Sequence, residues 1–168
     1  MKRQLLLIIT LIIIVVFQSS NIIEGLKVGN IKPNIILLYV IYISLNTNII
    51  VAQTIGFFAG IIEDILSQSL IGINALSKTL LAFLLNHFKT RIYTEKALSV
   101  IIVVFFTSIL IRLFYFLLIF IFVNKVNFYH SILKIVIPEA VYNAAVSVII
   151  FPLFRSIVER KRIWQRRL

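Results

Sequence analysis

Residues 97–123 read ALSVIIVVFFTSILIRLFYFLLIFIFV, an apolar run interrupted by one charge, Arg112. A bilayer core asks for roughly 20 such residues in a helix, so this stretch by itself puts the chain in a membrane. Composition agrees. With 61% hydrophobic and 14% charged residues and a mean hydropathy of +1.06, a chain of 168 residues could not hide its apolar side chains in a soluble core.

Working outward, further apolar segments run over about 5–23, 34–46, 48–66, 73–88 and 131–154. With 97–123 they make six predicted spans. The reading is an all-α integral membrane protein, a six-helix transmembrane bundle over 1–154, followed by a basic tail at 155–168. The apolar run behind Lys2 and Arg3 ends in Gln18-Ser19-Ser20-Asn21, without an alanine-type cleavage site, so it reads as a retained signal anchor. Asn46-Thr47-Asn48 separates the second and third segments, which become a tight hairpin or, in the alternative, one long helix in a five-span protein. Pro33 suits the first turn of the second, because its missing N–H would be unpaired there.

The distribution of Lys and Arg decides between these. Six spans place Lys2, Arg3, Lys89, Arg91, Lys96 and the tail cations Arg155, Arg160, Lys161, Arg162, Arg166 and Arg167 on one side, against Lys27, Lys32 and Lys125 on the other. Eleven against three is the positive-inside pattern with both termini cytoplasmic. The net charge of +11 is therefore an orientation signal and not a nucleic-acid surface. The tail also carries Ile157, Val158, Ile163 and Trp164, which suits anionic headgroups or an acidic cytoplasmic partner as well as a plain anchor.

Six ionisable residues fall within or beside the apolar segments: Glu63, Asp64, Lys78, Arg112, Lys134 and Glu139. A lone charge deep in lipid costs at least ~2.5 kcal/mol, and three acids against three bases point to internal pairing. At about 1.5 Å of rise per residue, Arg112 and Glu139 lie at similar depth in the outer half, and so do Asp64 and Lys78. Arg112–Glu139 and Asp64–Lys78 are the expected pairs, serving either helix register or a ligand or partner site.

Gly56, Gly60 and Asp64 recur every four residues on one face of the third span, where small side chains let another backbone approach. Pro138 deprives the carbonyl of Lys134 of its usual donor and should kink the sixth span beside Glu139. Tyr142 and Asn143 share the face of Glu139. For the glycine face tight packing within the chain is the default reading, and the kink with its polar neighbours suits helix packing or partner docking equally. The chain has no cysteine, His87 and His130 fall at opposite membrane boundaries, and no nucleophile, P-loop or zinc-protease arrangement is present. No enzyme, metal or cofactor is expected.

Three ordered motifs carry a resemblance. Lys32-Pro33-Asn34-Ile35-Ile36-Leu37-Leu38 is similar to a Pro-Asp-leucine-rich helix start, with Asn34 in place of the usual aspartate. Gly56-Phe57-Phe58-Ala59-Gly60-Ile61-Ile62-Glu63-Asp64, continued by Leu70-Ile71-Gly72-Ile73-Asn74-Ala75-Leu76-Ser77-Lys78, resembles a G-F-x-x-G-L-x-x-D segment and its sequel. Pro138-Glu139-Ala140-Val141-Tyr142-Asn143 resembles a late P-E-x-x-Y-N motif. Together they resemble the rod shape-determining protein MreD family of bacteria.

That resemblance implies a non-enzymatic component of the cell-elongation machinery in the cytoplasmic membrane. Its implied partners are MreC, the glycosyltransferase RodA with a class B penicillin-binding protein, and, indirectly, MreB filaments, in support of lateral peptidoglycan synthesis. It also implies an architecture similar to the substrate-capture subunits of energy-coupling-factor vitamin transporters, and such a subunit is the alternative reading. A channel or proton carrier using Glu139 and Arg112 ranks last, because the cytoplasmic halves of the segments are almost wholly apolar.

Overall fold

A computed structural model describes residues 2–29, 31–68, 70–92, 96–123 and 132–165. Seven α-helices appear among them: α1 (Lys2–Gln18), α2 (Asn21–Gly25), α3 (Ile35–Asn46), α4 (Ile49–Leu66), α5 (Ile73–Phe88), α6 (Ala97–Val123) and α7 (Ile137–Gln165). A π-helical turn, Ile132–Val136, leads into α7. Lys125, His130 and the side chains of the tail from residue 159 onward lie outside the described residues.

Three stretches are long and apolar enough to cross a membrane: Ile49–Leu66, Ala97–Ile121 and Lys134–Val158. Gln4–Gln18 and Ile35–Asn46 are shorter apolar helices. Two boundaries differ from the sequence expectation. The first apolar segment is two helices, because the chain turns at Ser19 and Ser20, whose hydroxyls donate to Val15 and Phe17 carbonyls. The last helix runs on through Gln165 without a break at residue 154.

The centre of the molecule is α3. Every residue from Ile35 to Ser44 is buried, because α3 packs against α1, α4, α5, α6 and α7. Helices around it turn apolar side chains outward, among them Ile8, Ile12 and Val16 on α1 and Ile102, Phe106 and Leu110 on α6. In water that pattern would be an aggregation surface; against lipid it costs nothing.

Polar side chains fasten α3 at both ends. Asn34 caps its start, its carbonyl oxygen accepting from Leu37 N at 2.8 Å. At its other end Asn86 donates to the carbonyls of Ser44 and Thr47, and Lys89 to that of Thr47, which satisfies groups a helix terminus leaves unpaired. Asn46-Thr47-Asn48 is indeed a turn, with Asn48 capping α4 through Val51 N at 2.9 Å. Tyr39 donates to the Leu7 carbonyl at 2.8 Å and meets Phe154 edge-on, tying α1, α3 and α7 together.

Candidate functional site

Twelve residues of α3 rise only about 18 Å, well short of a hydrocarbon core about 30 Å thick. Its N-terminal end opens on a polar space. A cavity of about 410 Å³ lies there, with Pro33, Asn34 and Ile36 beneath it and Gln18, Glu63, Arg112 and Glu139 among its walls. Residues of α1, α2, α3, α4, α6 and α7, with the chain leading into α3, thus converge on one polar space.

Arg112 and Glu139 meet in this space. Arg112 Nε donates to Glu139 Oε2 at 2.7 Å, and its Nη2 reaches the same oxygen. The carboxylate side chain is 8% exposed and the arginine side chain 31%, so the acid is buried and the base faces the cavity. Tyr115, one turn on, has its ring 5.7 Å from the guanidinium carbon.

The second expected pair takes a different form. Lys78 is buried, and its ammonium lies 2.8 Å from Glu63 Oε2 instead of answering Asp64. Asp64 has another task. Its two oxygens accept from the backbone of Gly72, Asn74 and Ala75 and from the Asn74 amide, at 2.8–3.3 Å. Gly72, at φ +107, is the N-cap residue of α5 and has no side chain to cap with. Asp64 caps α5 from α4, placing a carboxylate where the helix dipole favours one.

Gly56 and Gly60 belong to the same junction. A Cβ at Gly60 would lie 2.3 Å from Ala75 Cα, and one at Gly56 would lie 2.8 Å from the Lys78 carbonyl oxygen. The small-residue face of α4 is therefore covered by α5 and is not open to a partner.

The 138–143 motif is held by other elements residue by residue. A straight α-helix would set the Pro138 ring against the Lys134 carbonyl; the π turn Ile132–Val136 widens the backbone just before it. Glu139 then faces α6. Tyr142 donates to the Leu26 carbonyl at 2.5 Å, fastening the segment after α2. Asn143, wholly buried, accepts from Asn34 N at 2.9 Å and donates to Ser108 at 3.3 Å.

Three contributors stand outside the pairs and helix faces assigned from the sequence. Asn34 donates to Glu63 Oε1 at 3.0 Å. Gln18 donates to the Pro33 carbonyl and accepts from Ile35 N, both at 3.0 Å. Glu63 is the acid that answers Lys78. The usable signal for Asn34 and Gln18 was position: each is the polar residue at an end of an apolar run. Nothing in the sequence alone separates Glu63 from Asp64.

At the rim, Glu24 pairs with Lys27 and Lys32. The hydrogen bond from Lys27 holds its carboxyl below the usual carboxylate range.

Comparison with curated proteins and with solved structures gives no match. A family comparison does: the sequence model of rod shape-determining protein MreD matches residues 1–161. The helical membrane chain with this clasped polar end belongs to the MreD family of rod shape-determining proteins.

Proposed function

We propose that this chain is a non-enzymatic scaffold of the cell-elongation machinery in the bacterial cytoplasmic membrane, with six spans and both ends in the cytoplasm. In this reading it holds the bitopic protein MreC. Through MreC it supports lateral peptidoglycan synthesis by RodA and a class B penicillin-binding protein, and connects indirectly to MreB filaments. The basic residues after 154 engage lipid headgroups.

The observation that carries the reading is the use made of the motif residues. Glu139, Tyr142, Asn143, Asn34 and Asp64 each bind another element of the same chain, which builds a stiff polar platform at one end of an otherwise apolar bundle. A platform of that kind suits the holding of a partner in register. Because α5 covers Gly56 and Gly60, the partner contact in this proposal is the rim of the polar end: Glu24, Lys32, Arg112 and their surroundings.

Co-purification from bacterial membranes tests it. Lys32→Glu together with Glu24→Lys should reduce recovery of MreC while leaving insertion and yield unchanged. MreC recovered at the unsubstituted level would remove the rim from the proposal. An adjacent MreC gene favours this reading, and adjacent transporter ATPases the alternative of vitamin capture.

A further inference from the structure

The cavity over α3 has a charge arrangement that selects among ligands. Of its five ionisable wall residues, Glu24, Lys32 and Glu63 have partners apart from the Arg112–Glu139 contact. Glu63 is neutralised by the buried Lys78, while Glu24 pairs at the rim with Lys27 and with Lys32, which also lines the cavity. The remaining pair, Arg112 and Glu139, is neutral as a unit yet only half used. Arg112 directs both Nε and Nη2 at one carboxylate oxygen, Oε2. Among the described residues no donor reaches Oε1, and Glu139 lines the cavity with a side chain more than nine-tenths buried. The Nη1 edge of Arg112 likewise has no acceptor among them, and the arginine is partly open to the same space.

A carboxylate oxygen that faces the cavity without a donor, next to a guanidinium edge that lacks an acceptor, is a site for a molecule bearing both. A simple cation or a simple anion would leave an unbalanced charge in a low-dielectric wall. A molecule with one of each adds no net charge to the site. Volume agrees, since ligand sites run from roughly 300 to 1,000 Å³ and this one is about 410 Å³. Ile36, Leu66 and Pro33 supply apolar surface for a short hydrocarbon link.

We infer that the cavity binds a small zwitterion, its primary ammonium donating to Glu139 Oε1 and its phosphate or carboxylate accepting from Arg112. The chemistry is that of an aminoethyl phosphate. Two sources present it: the headgroup of an ethanolamine phospholipid entering from the outer leaflet, or a free amino acid-like solute. The inference concerns the cavity alone and is measured without any partner, so it stands or falls separately from the scaffold reading.

The test uses the full chain in phosphatidylcholine nanodiscs, titrated calorimetrically with O-phosphoethanolamine. Binding is expected, with phosphocholine at least about ten-fold weaker, because a quaternary ammonium has no N–H for Oε1. Ethanolamine alone and inorganic phosphate alone should be weaker by a similar factor. Arg112→Gln and Glu139→Gln should each lose about ten-fold in affinity. The headgroup comparison needs no substitution and so survives a variant that does not fold. In phosphatidylethanolamine nanodiscs, loss of the soluble signal identifies the lipid as the source; an unchanged signal identifies a free solute. Equal binding of phosphocholine, or of phosphate alone, would overturn the inference. So would the absence of O-phosphoethanolamine binding, or folded variants that bind as the parent does.

Discussion

Asn34 and Glu63 form a matched donor and acceptor: the Asn34 amide nitrogen donates to Glu63 Oε1 at 3.0 Å while its carbonyl oxygen caps Leu37. Aspartate, the residue the MreD resemblance leads one to expect there, would keep the cap but set two carboxylates face to face. Asn34→Asp should therefore destabilise the folded chain by about 1–3 kcal/mol, read from its unfolding in detergent. Asn34→Asp with Glu63→Gln should recover most of the loss. Relatives with aspartate at this place are expected to carry an uncharged residue at the place of Glu63, which sequence comparison can check.

The α4–α5 junction leaves no room for a side chain at Gly60. Its nearest neighbours are the backbone of Asn74 and Ala75, which cannot swing aside as a flexible side chain can. Gly60→Ala should cost about 1–3 kcal/mol through forced helix separation, and Gly60→Leu should prevent a monodisperse fold. Size-exclusion profiles in detergent separate this outcome from a docking defect, in which the variant would elute as the parent does.

Asp64 caps α5 from a different helix, with four hydrogen bonds. Asp64→Ala strands several amides of a buried helix start at once, so a loss of about 2 kcal/mol or more is expected. Asp64→Asn, which keeps an acceptor but no charge, should retain part of the stability. Hydrogen exchange at residues 72–76 gives the local readout, and unchanged protection in Asp64→Ala would refute the capping role.

Glu24 supplies a pH dependence at the rim. Its carboxyl titrates below the usual range because Lys27 donates a hydrogen bond to the ionised form. A lowered folded-state value means that the contribution is complete above the ordinary carboxylate range and disappears as pH falls through the lowered one. Amide exchange in residues 21–32 should accordingly quicken, after correction for its intrinsic rate, as pH falls through the acid range. Added salt should produce the same change at neutral pH, since these charges are exposed.

How much of this was legible beforehand depends on what kind of constraint each residue answers. Apolar length and charge asymmetry gave a helical membrane chain, and depth reckoning put Arg112 opposite Glu139, since rise per residue is a fixed quantity. It could not choose between Glu63 and Asp64. Adjacent residues on a helix differ by only about 1.5 Å in depth but by some 100° in direction, and direction was set by the turn into α5. The small-residue face was visible as a spacing; that α5 covers it was not, because a spacing names no partner. The hub role of Asn34 was hidden too. Its four neighbours, Leu37, Glu63, Asn143 and Gln18 across Ile35, come together only once α1, α3, α4 and α7 have packed.

The brevity of α3 also has an electrical side. A space walled by ionised groups is hydrated, and hydrated space conducts the potential inward. Along the axis of this bundle the insulating layer is then about the length of α3, some 18 Å, and not the full ~30 Å of the surrounding lipid. A membrane voltage falls across that thinner layer as a steeper gradient. Arg112, counted by residues, sits well inside α6; counted by volts, it stands close to the bath on the polar side of the bundle.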